Sequence, residues 1–284
     1  MGTPLRPLTS HIDARWLMSY AAGLGHTAPA YFDTTRAEGI IGHPLFPIAV
    51  EWGLISDPDS GLEALGLTLA ERLRGVHARH DLHVHRQIRA GTDVTVSAQV
   101  VGAEQTAPGA LLTTRLDGAD GDGPLWTTWM GSLYRGVTVS GDNRFLTAIP
   151  ALPAPVGNAE ASRSRTVPIE VWAPHVYSEC ARIWNPIHTD LAIAKAAGLP
   201  GVILHGSANL AHGVDWVLTA LDVTPDRVRR VGGSFREMVE VPSKITPTLS
   251  AVNKAPDGTI TAHFTVLNDA GRAAVRDGFV VIGP

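Results

Sequence analysis

A histidine that follows an Asn-Pro turn is the side chain of this sequence best suited to acid–base chemistry. The segment Asn185-Pro186-Ile187-His188 favours a turn, because proline removes a backbone donor and disfavours helix at the residue before it. The turn fixes the offset at which His188 follows. Imidazole has an unperturbed pKa of about 6.5, so His188 can both accept and release a proton near neutral pH.

Two predicted helices follow His188 closely. A short Ala-rich helix is predicted from Asp190 to Ala197, with Asp190 as its N-cap. A longer helix is predicted from about Leu204 to Leu221, where apolar residues recur at helical spacing. Gly206 opens it, and the first N–H groups of a helix have no partner within the helix. The segment therefore combines a proton-transfer group with backbone donors that suit a developing negative charge.

This segment resembles the MaoC-like, R-specific enoyl-CoA hydratases. Their pattern is Ser-Gly-Asp-x-Asn-Pro-[aliphatic]-His, then an Ala-rich helix, then an apolar-His-Gly helix start. The matching residues are Asn185, Pro186, Ile187, His188, His205 and Gly206. The resemblance implies that His188 is the general acid/base, that Asn185 positions water or His188, and that the Gly206 N–H holds the thioester oxygen as it becomes an enolate.

The sequence departs from the family pattern at the position of the catalytic aspartate, where it has Ile183. Isoleucine can neither accept a proton nor bind water, so three outcomes are open. His188 acts alone with Asn185, or a neighbouring carboxylate, Glu179 or Asp190, substitutes, or hydration has been replaced by another reaction or lost. The capping function of Asp190 is the structural alternative for that residue.

Three further residues are candidates for substrate binding. Arg182 replaces the family's glycine, and its planar guanidinium suits a ligand carboxylate or phosphate, although a surface salt bridge to Glu179 or Asp190 is the alternative. Tyr177 offers a phenol that can donate a hydrogen bond, or it packs in the core. His205 lies beside Gly206, where it contacts substrate or belongs to the helix start.

We expect no metal and no separate cofactor, because CoA or a carrier arm would be part of the substrate. His83 and His85 lie two apart on a predicted strand and so share one face. No carboxylate or cysteine accompanies them, and we therefore do not predict a metal site there. The single cysteine, Cys180, excludes an intramolecular disulfide.

Composition narrows the possible partners and compartment. The net charge is −4 and there is no basic block, so we predict no nucleic-acid partner. No run of 18 apolar residues suggests a membrane span, and the N-terminus has no apolar region typical of a signal peptide. The lone cysteine is consistent with a reducing compartment, so the expectation is a cytoplasmic protein, with a homodimer as a possible assembly.

The chain divides into two halves of similar organisation. At 284 residues it suits two units, and we predict units at 1–148 and 166–284 joined by a Pro/Ala-rich linker at 149–165. Each half has helix followed by strands. In the first, helices are predicted at Ile12–Leu24 and Pro47–Ile55, and strands at Leu82–Ile88, Asp93–Val101, Ala110–Leu116 and Leu125–Tyr134. In the second, strands are predicted at Val167–Ala173, Val228–Phe235, Lys244–Val252, Thr259–Leu267 and Arg272–Ile282.

This order predicts an α+β protein, and the resemblance implies a double hot-dog, in which two antiparallel sheets each wrap a central helix. In that family the first unit lacks the catalytic motif and helps to shape the acyl tunnel. Our prediction is an acyl-thioester hydratase or dehydratase acting on an enoyl-CoA or a carrier-bound thioester. The alternatives are a non-hydrating hot-dog protein that binds acyl thioesters or small molecules, a repurposed biosynthetic enzyme, and a thioesterase.

Overall fold

The computed structural model describes residues 2, 4–57, 61, 65–155 and 163–284. The predicted linker therefore lies partly outside the described residues, at 156–162. The helices are α1 (Ala14–Gly23), α2 (Pro29–Phe32), α3 (Pro47–Ile55), α4 (Leu69–Arg72), α5 (Ala173–Ala181), α6 (Leu191–Ala196) and α7 (Gly206–Leu221). The strands are β1 (Leu8–Ile12), β2 (Gly75–Val84), β3 (Thr92–Thr106), β4 (Gly109–Asp120), β5 (Gly123–Arg135), β6 (Arg144–Phe145), β7 (Arg163–Ser164), β8 (Val167–Ile169), β9 (Val228–Phe235), β10 (Ser243–Lys254), β11 (Ile260–Leu267) and β12 (Ala273–Ile282).

The two halves share one antiparallel sheet. Its strands follow the order β1-β3-β4-β5-β2-β9-β12-β11-β10-β7, so β2 of the first half is hydrogen-bonded to β9 of the second. In this pair Leu82 lies opposite Val231 and His80 opposite Gly233. The β2–β9 pairing therefore joins the sheet edge of the first half to the sheet edge of the second half.

The helix α7 packs against the strands of the second half. Its buried residues include Leu210, Val214 and Val217, which lie on one helical face. Close approach to the sheet depends on Gly213, because a Cβ at this residue would lie 2.1 Å from Cε2 of Phe264. This packing fixes the position at which α7 begins and so positions the residues around Gly206.

The helix α3 has the corresponding place in the first half, but it begins differently. Pro47 is its first residue, where the missing N–H of proline costs little. Its fully buried Glu51 accepts hydrogen bonds from Trp126 Nε1 and Thr128 Oγ1. Burial raises the pKa of Glu51 to about 7, although these two hydrogen bonds lower it.

Some predicted boundaries differ from those of the structure. The predicted first helix included Ile12, but Ile12 ends β1, where it pairs with Thr92, and the Asp13 side chain accepts the Trp16 N–H as the N-cap of α1. The predicted strand Val167–Ala173 ends at Ile169, because α5 begins at Ala173. No helix in the described part of the chain is long and apolar enough to cross a membrane.

Candidate active site

A short 3₁₀ turn between α5 and α6 positions His188. The Asn185 Oδ1 accepts the N–H of Ile187, and the Asn185 carbonyl accepts the N–H of His188. The His188 side chain is mostly buried, at 9% exposure. The structure thus gives Asn185 a turn-forming function, and its proposed action on water remains a prediction.

The protonated nitrogen of His188 follows from its hydrogen bond. Its Nδ1 lies 2.8 Å from the carbonyl oxygen of Ile203. A carbonyl can only accept, so Nδ1 carries the proton and donates it. The lone pair of the neutral imidazole is therefore on Nε2, which is the nitrogen available as a base.

The His205 ring covers one face of His188. The two ring centroids are 3.7 Å apart and the rings are nearly parallel. Nε2 of His205 lies 3.1 Å from the Ser178 Oγ and 3.4 Å from the Ile183 carbonyl oxygen. His205, which the sequence suggested as a substrate contact or a helix-start residue, is thus fixed beside the candidate base.

Burial keeps both imidazoles neutral. It lowers the pKa of His188 to about 4, although the hydrogen bond to Ile203 acts in the opposite direction. Burial and the neighbouring His188 hold the pKa of His205 well below its usual range. At neutral pH, therefore, His188 is in the unprotonated form that a general base requires.

The helix α7 begins at Gly206 without a side-chain cap. Its first N–H groups are consequently left for another acceptor. The Phe235 ring covers Gly206 closely, because a Cβ at Gly206 would lie 3.1 Å from Cδ1 of Phe235. The positive end of α7 thus lies directly after His205, and a helix start of this kind suits an oxyanion.

Arg182 and Ile183, which stand where the family has Gly-Asp, both pack against the rest of the protein. Arg182 ends α5 in the left-handed conformation, with φ 58°, a conformation that glycine adopts most readily. Its guanidinium lies 4.0 Å from the centroid of the Trp16 ring of α1. Ile183 is 5% exposed and belongs to the hydrophobic core.

The two suggested substitute acids have other surroundings and form no hydrogen bond with His188. Asp190 caps α6 by accepting the N–H groups of Ala192 and Ile193. Glu179 is exposed and lines an outer groove of about 290 Å³ together with Trp184. Because α5 ends at Ala181, no further helical turn brings Glu179 toward Ile183. Among the described residues, no carboxylate forms a hydrogen bond with His188.

Tyr177 lies behind this site in a buried hydrogen-bonded group. Its hydroxyl donates to Ser207 Oγ at 3.1 Å and lies 3.2 Å from the Tyr20 hydroxyl. Its ring packs edge-on against His205, with centroids 4.9 Å apart. Burial raises the pKa of Tyr177 to about 12. The residue therefore supports the start of α7 as a neutral phenol.

A second cluster, formed by His26, His43 and Asp215, was missed by the sequence analysis. The Asp215 Oδ1 is 2.9 Å from Nε2 of His43, and its Oδ2 is 2.8 Å from Nε2 of His26. The His43 Nδ1 accepts the N–H of Leu45, so its proton is on Nε2 and points to the carboxylate. A metal ion at this nitrogen would have to displace that proton, which favours an ion-pair network between the halves over a metal centre.

The two histidines considered for a metal pair do not lie on one strand as predicted, because His83 belongs to β2 and His85 follows its last residue, Val84. Nε2 of His83 lies 3.4 Å from an oxygen of Asp81, whereas Nε2 of His85 lies 3.0 Å from the Thr127 hydroxyl. His83 also packs against Trp129, with ring centroids 4.8 Å apart. The His85 imidazole is thus hydrogen-bonded to a neighbouring side chain, whereas Nε2 of His83 makes no hydrogen bond with the described residues.

Comparisons with known families agree with this geometry. Residues 177–270 match the MaoC like domain, and residues 1–119 match the FAS1-like dehydratase domain region. The chain belongs to the MaoC-like family. Among curated proteins no sequence matches it.

Several solved structures share the fold over nearly the whole chain. A MaoC-like dehydratase from Phytophthora capsici is 19% identical, with a TM-score of 0.83, and the match covers 99% of this chain and 95% of that one. HtdX of Mycobacterium tuberculosis is 22% identical, with a TM-score of 0.68 and coverage of 98% and 100%. A further M. tuberculosis protein, described as a double hot-dog, is 14% identical over 99% and 96%, with a TM-score of 0.63. The predicted α+β double hot-dog fold is thus confirmed.

Proposed function

We propose that this MaoC-like protein is an acyl-thioester hydratase or dehydratase. The observation that carries the proposal is the position of His188 close to the uncapped start of α7. Its Nδ1 donates to Ile203 and leaves Nε2 as a base, and the first N–H groups of α7 have no side-chain acceptor. A base beside an oxyanion site is the pair that addition of water to an enoyl thioester requires.

In the hydration direction, Nε2 of His188 accepts a proton from water while the water oxygen bonds to C3 of the enoyl group. The π electrons move toward the thioester carbonyl, and the resulting enolate oxygen accepts the Gly206 N–H. The protonated His188 then gives its proton to C2, which forms the 3-hydroxyacyl thioester and restores the neutral imidazole. Dehydration is the same sequence reversed.

The absence of the family's aspartate, which Ile183 replaces, should lower the rate of this reaction. No carboxylate hydrogen-bonds His188 among the described residues, so a single imidazole must both remove and return the proton. We therefore expect hydration of a simple enoyl-CoA to be slow. This same observation favours the second candidate function, a non-hydrating protein that binds acyl thioesters.

The experiment is an assay of crotonyl-CoA and longer enoyl-CoA substrates by the loss of ultraviolet absorbance of the conjugated thioester. A parallel measurement of free thiol detects hydrolysis. We expect absorbance loss with wild type, no thiol release, and no absorbance loss with His188→Ala. Thiol release would indicate a thioesterase, and binding of acyl-CoA without absorbance loss would indicate the non-hydrating protein.

A further inference from the structure

Two histidines of β2, the half-buried His77 and the buried His80, have buried ring nitrogens without partners. Nε2 of His77 and both ring nitrogens of His80 are buried and make no hydrogen bond. His80 is only 1% exposed. Buried polar atoms are almost always hydrogen-bonded, and leaving one without a partner destabilises the fold. Three unmet nitrogens in two neighbouring residues therefore indicate a place for a polar ligand group.

These histidines face the start of α7, although they belong to the first half. His80 lies opposite Gly233 of β9, and a Cβ at Gly233 would lie 3.3 Å from Cδ1 of Leu210 on α7. Directly opposite residues of an antiparallel pair have the same face of the sheet, so His80 is on the α7 side.

The His77 ring extends the group toward the proposed oxyanion site. Its centroid is 5.3 Å from that of His80 and 4.7 Å from that of Phe235. Phe235 is the ring that covers Gly206. The His77 imidazole is thus separated from the first residue of α7 by a single aromatic side chain, and the His80 imidazole lies next to His77.

The hydrogen-bonding capacity of the pair is defined by its tautomers. Each neutral imidazole has one N–H donor and one unprotonated acceptor nitrogen. His80 offers one donor and one acceptor, since burial lowers its pKa to about 3 and keeps it neutral. Burial also lowers the pKa of His77 to about 4. Two neutral rings favour a neutral ligand group over a carboxylate or phosphate.

We propose that His77 and His80 bind a hydroxyl group on the acyl chain of the thioester substrate. A hydroxyl can donate to the unprotonated nitrogen of one ring while it accepts the N–H of the other, because a neutral imidazole supplies both kinds of group. The substrate class would then be thioesters of hydroxylated acyl chains, with this hydroxyl beyond the reacting carbons. The inference rests on the proposed function, because the thioester oxygen is taken to lie at Gly206.

The test is calorimetric binding of matched saturated thioesters that cannot be hydrated or dehydrated. The pairs are butyryl-CoA with 4-hydroxybutyryl-CoA, and hexanoyl-CoA with 6-hydroxyhexanoyl-CoA. We expect the hydroxylated member of at least one pair to bind about tenfold more tightly, as two net hydrogen bonds would give. The double variant His77→Phe/His80→Leu should abolish this preference and keep affinity for the unsubstituted member, whereas His77→Gln should retain part of it.

The outcomes separate this inference from the proposed function. Equal affinity within both pairs would overturn the hydroxyl site and indicate that bound water satisfies the imidazoles. A preference seen only with 3-hydroxybutyryl-CoA, measured in His188→Ala to prevent turnover, would overturn it too, because the pair would then bind the reacting hydroxyl. Binding of none of the thioesters would contradict the proposed function itself.

A second measurement does not depend on folding of the double variant. In ¹⁵N-histidine-labelled wild type, the ring nitrogen resonances of His77 and His80 should shift with the hydroxylated thioester and stay unchanged with its unsubstituted match. The same shifts with both members would overturn the proposal.

Discussion

At the start of its central helix the first half has His43 followed by prolines, whereas the second half has His205 followed by Gly206. Pro47 supplies no N–H at the first position of α3, and His43 is held by Asp215. Gly206 leaves its N–H free of a side-chain cap, and His205 is stacked on His188. We call these two helix starts the first entry (at α3) and the second entry (at α7). The second entry has a backbone N–H donor beside the base His188, whereas the first entry has neither a free N–H at its first position nor a free base.

The largest expected effect is the loss of the base at the second entry. His188→Ala should lower kcat for enoyl thioester hydration by about 10²–10⁴-fold, the usual contribution of a positioned acid/base group. The matched control is His43→Gln at the first entry, which should leave turnover per folded molecule within a few-fold. The measurement is steady-state kinetics on protein whose folding is checked by circular dichroism. An equal loss of activity in both variants would contradict the comparison.

The next effect concerns the backbone donor. Gly206→Pro would give α7 the kind of start that α3 has, and removal of one oxyanion donor should lower kcat by about 10²–10³-fold. Gly206→Ala keeps the N–H and introduces the same close contact with Phe235, so it controls for crowding. Equal losses in the two variants would show that packing, and not the N–H, is responsible.

A smaller effect is expected where the family's aspartate is absent. Ile183→Asp should lower the melting temperature, because the residue is 5% exposed and burial of an unpaired carboxylate costs more free energy than burial of a neutral polar group. It should also raise hydration of crotonyl-CoA, since a carboxylate returns at the position of the family's catalytic aspartate. Ile183→Asn controls for burial without charge. Rapid hydration by wild type, or an equal gain with asparagine, would refute the expectation.

The smallest effect concerns the pH dependence of the ion-pair network between the halves. Burial lowers the pKa of His26, but the Asp215 carboxylate outweighs it and leaves the pKa raised. Because the raised pKa stabilises the folded state at low pH, this contribution is present below about 6.5 and is lost as pH rises through the raised value. The free energy of unfolding should therefore differ between wild type and His26→Gln more at pH 6 than at pH 9. A difference independent of pH in urea titrations would argue against a charged His26.

The parts predicted from the sequence are those that depend on local patterns. The predicted bounds of α3 and β9 are those observed, and α7 differs by two residues at its start. The helical spacing of apolar residues in α7 and the turn signals around β9 act over a few residues. The prediction for Ile12 was wrong. This residue pairs with Thr92, on a strand 80 residues later, and a local pattern does not reveal such a distant partner.

The same distinction applies to the site. His188 and Gly206 are near each other in the chain, so their spacing indicated a common site. Asp215 lies 172 residues from His43, and no motif links them. The unmet nitrogens of His80 also depend on packing between the halves, which residue types alone do not reveal.

The β2–β9 pairing has a consequence for assembly. Because both strands belong to one chain, their association is unimolecular, and its equilibrium does not depend on protein concentration. Dilution therefore leaves His77 and His80 beside the start of α7. Separation of the two halves should therefore cause no change in the melting temperature over a hundredfold range of protein concentration.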